Sequence, residues 1–84
     1  MTPFRGKLVK DGQPVADHID GRLTIDPAPD GSEWWSGFCT LPAGQTVSLD
    51  ETFDLVLDDG RCGKVRVERV NAYPHGTSVS FVHG

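Results

Sequence analysis

Apolar and polar residues alternate with a period of two through most of this chain. From Val15 the odd positions read Val15, Asp17, Ile19, Gly21, Leu23 and Ile25, and the residues between them are mostly polar. Phe53, Leu55 and Leu57 are separated by Asp54 and Val56. Val65 and Val67 are set among Lys64, Arg66 and Glu68, and Val79 and Phe81 among Ser78 and Ser80. A strand turns successive side chains to opposite faces, so this period, with its wealth of Val, Thr and Phe, predicts half-buried strands. No stretch carries the i, i+3, i+4, i+7 apolar stripe of a helix. Helix is therefore limited to at most one short turn, around Leu49–Phe53.

Turn chemistry divides the pattern. Asp11-Gly12 suits a two-residue type I′ hairpin, which would set Leu8 opposite Val15 and Phe4 opposite Ile19. At Asp58-Asp59-Gly60 the parity of the flanking residues selects the loop length. A two-residue turn would pair Leu57 with Cys62 and Leu55 with Lys64, mixing core and solvent faces. A three-residue loop pairs Phe53 with Val65, Asp54 with Lys64 and Leu55 with Gly63, and it puts Gly60 at the left-handed position of a bulged turn. Tyr73-Pro74-His75-Gly76 reads as a tight turn, and Pro27 and Pro29 mark an extended loop. The expected map is six strands near residues 4–10, 15–26, 34–41, 47–57, 62–70 and 78–83, with bends near Gly21 and Asp50. The fold class is all-β: one small domain over residues 1–84, a small antiparallel β-barrel or a compact sandwich with little or no helix.

With 37% hydrophobic and 24% charged residues, the chain is too apolar for disorder and too polar for a helical membrane span. Its apolar runs are too short for a signal-peptide core, which points to a cytoplasmic protein. The net charge of −4 speaks against nucleic acid as a partner. Acidic Asp50, Glu51, Asp54, Asp58 and Asp59 precede basic Arg61, Lys64, Arg66 and Arg69. On adjacent strands these charges would face and neutralise one another. Cys39 and Cys62 are too few for a disulfide scaffold, and without an export signal they are expected as free thiols.

Few residues suggest a chemical role. Trp34 and Trp35 must point to opposite faces of one strand. Both are candidate binding residues; Trp35 shares its face with Gly37, Cys39 and Leu41 and is expected inside, and Trp34 outside. An exposed indole could stack on a sugar, a base or a partner's apolar side chain, and it could equally cover the open end of a barrel. His18, His75, His83, Cys39 and Cys62 lack the short paired spacing of a metal site, so no metal or other cofactor is expected. Neither a nucleophile elbow nor a phosphate loop is present, and a small filled barrel leaves little room for a catalytic pocket.

The order Trp35-Ser36-Gly37-Phe38, then Leu41-Pro42-Ala43-Gly44, then Val79-Ser80-Phe81 loosely resembles PilZ domains, small barrels that bind cyclic di-GMP. The family's ligand motif is not matched. Arg5 and Arg22 stand far apart where two closely spaced arginines are required, and Asp30-Gly31-Ser32 is followed by Trp35 in place of the motif's glycine. The ligand is therefore not carried over. The expectation is a non-catalytic interaction or structural module, with an unidentified protein partner or its own copies as partner and no membrane attachment. The alternatives are a small-ligand or carbohydrate-binding module built on an exposed Trp, and a small hydrolase-type enzyme with an unrecognised site.

Overall fold

The computed structural model describes residues 1–84 and contains six strands and no helix. They are β1 (Thr2–Lys10), β2 (Gln13–Pro27), β3 (Glu33–Pro42), β4 (Thr52–Leu57), β5 (Cys62–Tyr73) and β6 (Gly76–His83). All neighbours run antiparallel in one closed barrel, in the order β1-β2-β3-β6-β5-β4. Each half of the chain is thus a three-stranded meander. The meanders join edge to edge where β3 meets β6 and where β1 meets β4. Closure satisfies most of the backbone that open sheets would leave unpaired.

The barrel is filled by one apolar cluster. Leu8, Ile19, Leu41, Leu55, Val65 and Val79 are among its fully buried members, and Phe81 meets the ring of Phe4 edge-on at 6.3 Å. Val47 belongs to the same cluster although it lies on the β3–β4 connection, residues 43–51. That connection is held to the barrel by the buried Thr77 hydroxyl, which donates to the Gln45 carbonyl at 3.0 Å.

The β4–β5 loop follows the parity argument. Phe53 pairs with Val65, Asp54 with Lys64 and Leu55 with Gly63. Gly60 has φ +96°, and its N–H donates to the Leu57 carbonyl at 2.9 Å. The first hairpin departs from expectation beyond its turn. Asp11 and Gly12 are both left-handed, at φ 53° and 78°, as a type I′ turn requires. Two register shifts follow, so Leu8 lies opposite Ala16 rather than Val15, and Phe4 opposite Gly21 rather than Ile19. Each shift is an extra β2 residue, and the second falls beside His18, which takes φ 52°. Between the shifts the faces exchange. Ala16 is buried and Val15 is 40% exposed, which corrects the uniform alternation expected from Val15 onward.

Most strand ends fall within two residues of the expected map, and two boundaries differ by more. The strand expected from residue 47 begins at Thr52, because Asp50 takes φ 63° and breaks the extended backbone. The turn at Leu49-Asp50 is not helical, and Phe53 already belongs to β4. Strand β5 continues past residue 70 to Tyr73, where a two-residue turn leads to β6.

Candidate functional site

The tryptophans separate as their parity requires. Trp35 is 2% exposed. Its indole crosses the barrel to lie on Gly63 of β5, where an added Cβ would come within 2.5 Å of the ring. The indole N–H donates to the Glu33 carboxylate at 3.4 Å. Trp35 therefore serves as packing, and its one polar atom has a partner at the edge of the core.

Trp34 is 50% exposed on the outer face. It lies opposite Asp26 of β2, and its ring sits 6.1 Å from that of His83 at an interplanar angle of 31°. Strand β6 pairs with β3 only from Gly37 onward, so Glu33–Ser36 have no strand on that side. Four residues after Trp34, on the same face, Phe38 is 40% exposed. The registers set Phe38 in a row across four strands. Arg22 lies opposite it on β2 and Ser80 on β6, and Arg69 of β5 lies opposite Ser80. Neither Arg22 nor Arg69 forms an ion pair, in contrast to the other arginines of the chain. The outer face of β3 thus offers two aromatics, with the uncommitted Arg22 beside the second and the uncommitted Arg69 beyond Ser80 in the same row. Strand parity already sets Trp34 and Phe38 on one face; that Arg22 and Arg69 join the row follows only from the strand pairing.

Most of the other charges neutralise one another, in part as the charge order suggests. Arg61 meets Asp59 at 3.0 Å, Arg66 meets Asp50 at 2.9 Å and Lys64 approaches Asp54 at 3.8 Å. Glu51 turns instead to Lys10 of β1 at 2.6 Å. That hydrogen bond, with one from the Ser48 N–H, holds the Glu51 carboxyl below its ordinary value. Asp59 is lowered by the Arg61 backbone N–H and side chain, and Asp30 by the Ser32 hydroxyl and N–H. Arg5 is raised by its hydrogen bond to Asp20. Apart from the half-buried Glu51 these groups are solvent-exposed, so the pairs add little to stability.

The remaining candidates are dispersed. Cys39 is buried on β3 and Cys62 is exposed at the start of β5; both are free thiols. Burial pushes the Cys39 thiol up to about 12, so it behaves as a small apolar side chain. His18 marks the β2 irregularity, His75 stacks on Tyr73 at 5.5 Å and His83 accompanies Trp34. No three His, Cys, Asp or Glu side chains converge as metal ligands.

The concavities are open surface depressions. The larger, of about 490 Å³, lies between the first turn and the start of β4. Its charged rim is Lys10, Asp11, Asp50, Glu51, Asp54 and Lys64, and both ammonium groups are already engaged by carboxylates. A smaller one, of about 200 Å³, is lined by Phe4, Leu23, Ile25, Leu57 and Arg61 among others.

Comparison with protein-family models, with curated proteins and with solved structures finds no match to this chain.

Proposed function

We propose that this chain is a non-catalytic interaction module that meets a protein partner through the outer face of β3. The observation that carries the reading is the half-exposed Trp34, followed on the same face by Phe38, with the unpaired Arg22 next to it and the unpaired Arg69 beyond Ser80 in the same row. Binding energy at protein interfaces concentrates in a few large aromatic and arginine side chains. On a barrel whose core is filled, this face gathers such groups where a partner can reach them. The free thiols Cys39 and Cys62 suit the reducing cytoplasm expected for such a module.

The test is to capture a partner, purify it and reconstitute the complex. Trp34→Ala and Phe38→Ser should each weaken binding by roughly tenfold or more, as losses above about 1.4 kcal/mol at an interface hot spot imply. Leu49→Ser, at an exposed apolar residue away from β3, should leave binding unchanged. Equal affinity for all three variants would overturn the assignment of this face. A Trp34-dependent fluorescence change with a soluble sugar and no protein present would instead favour the small-ligand reading.

A further inference from the structure

Strand β5 outruns its neighbour β4. Pairing with β4 reaches only Thr52 opposite Arg66. Asp50 N–H then donates to the Val67 carbonyl and Val67 N–H to the Glu51 carbonyl, the last bonds made on that side. From Arg69 to Tyr73 the strand pairs with β6 alone, and no other backbone group bonds its open edge.

The direction of the free backbone groups follows from the turn. Tyr73 and Gly76 close a two-residue loop and so form a hydrogen-bonded pair. Counting back, Asn71 and Arg69 also turn their N–H and C=O toward β6, and Val70 and Ala72 turn theirs to the open side. Val67 bonds on the β4 side, which agrees once the register shift at Glu68 is counted.

Other open edges of the barrel are less able to accept a strand. On β2 the residues before Asp20 include Pro14, two register shifts and left-handed His18. The start of β1 carries Pro3, and the free edge of β3 is short, with His83 drawn up to Trp34. Arg69–Tyr73 has no proline, no shift and no carboxylate.

We infer that this edge pairs antiparallel with the same edge of a second copy of the chain, about a twofold axis at Asn71. In that register Val70 of each copy faces Ala72 of the other as a hydrogen-bonded pair, which makes four backbone hydrogen bonds. Asn71 faces its own counterpart in the close, non-hydrogen-bonded position. Arg69, free of any ion pair, faces Tyr73 of the other copy on the outer surface. Tyr73 is 52% exposed and stacked on His75, so its ring is presented for a cation–π contact. Val70 and Ala72, opposite the buried Val79 and Thr77, fall on the inner side of the joined strands. The irregularity at Glu68 and Pro74 limit the pairing to five residues, and a twofold contact uses the edge on both copies. The product is a dimer rather than a fibre. This contact lies at the opposite end of β6 from Trp34 and shares only Arg69 with the β3 face.

Light scattering over a concentration series should show the apparent mass rising from 9.1 kDa toward twice that value. Asn71→Asp sets like charges across the axis and should return the mass to the monomer value, while Trp34→Ala leaves the dimer intact. With Cys62→Ser removing the exposed thiol, Asn71→Cys should form an intermolecular disulfide on mild oxidation. Arg69→Cys, whose counterpart is Tyr73, should not. Circular dichroism checks that each variant keeps its strands. A mass that stays at 9.1 kDa at every concentration overturns the inference. So does a dimer that tolerates Asn71→Asp and cross-links at Arg69→Cys as fast as at Asn71→Cys.

Discussion

Trp34 and Trp35 are neighbours in sequence with opposite surroundings. The indole of Trp35 is nearly sealed from solvent and rests on Gly63, whereas half of Trp34 is exposed. Truncating a buried large aromatic costs about 3–5 kcal/mol, so Trp35→Ala should lower the urea midpoint sharply. Trp34→Ala should cost less than about 1 kcal/mol, as surface substitutions do. Equal losses in the two unfolding curves would contradict this division. The cysteines divide in the same way. An alkylating reagent near neutral pH should modify Cys62 in the native protein and leave Cys39 untouched until unfolding. The raised pKa of Cys39 also has a stability sign. Its thiol stays neutral in the fold up to about 12, whereas the unfolded chain ionises near the ordinary value of 9.0. The contribution of this group is complete below that value and is lost as pH climbs toward the folded one, by about 1.4 kcal/mol per pH unit. Cys39→Ala should flatten that alkaline decline in denaturant titrations at successive pH values.

Hairpins show how a single conformation sets an element. Gly60 closes the β4–β5 loop at φ +96°, with open space around the position of a Cβ. A substitution there is opposed by backbone strain alone. Gly60→Val should cost about 1–2 kcal/mol, the penalty for a β-branched residue held left-handed. Gly60→Asn should cost clearly less, since Asn tolerates that region, and a matched loss for both variants would point to a steric origin instead. The β1–β2 hairpin carries the complementary lesson. Its turn is set locally by Asp11-Gly12, yet its core face is set by the two shifts that bring Ala16 inward and expel Val15. Nothing in the alternation of Gln13–Asp20 marks those shifts. Both lie where β2 pairs with β1 alone, before its pairing with β3 begins at Asp20.

At the scale of the whole molecule, two contacts close the barrel. Strand β3 pairs with β6 across some forty residues of chain, as in Gly37 opposite Phe81, and β1 pairs with β4 across a similar span, as in Gly6 opposite Leu57. Neither can form until distant segments meet, and loop closure must precede any gain from the contact. Refolding followed by Trp35 fluorescence should therefore take milliseconds to seconds rather than microseconds. Val65→Ala, at a buried residue where β4, β5 and β6 meet, should destabilise through a cavity, by about 1–3 kcal/mol. A microsecond folding phase would show that local structure, not closure, limits the rate.

The amino-acid sequence alone determined the strand content, the three-residue loop at Asp58-Asp59-Gly60 and the opposite facing of Trp34 and Trp35. Each of these rests on physics within a few residues: the two-residue period of a strand, or the left-handed position that a glycine accepts. The tertiary structure alone decided which strands meet, and with that every feature that depends on neighbours distant in sequence. It set Arg22 and Arg69 on either side of Phe38 and Ser80, turned Glu51 from the basic residues that follow it to Lys10, and folded Val47 into the core. It also ended β4 short of β5, leaving Arg69–Tyr73 bonded on one side only. A local pattern can show that a residue faces outward. What it faces depends on barrel closure, which is a property of the whole chain.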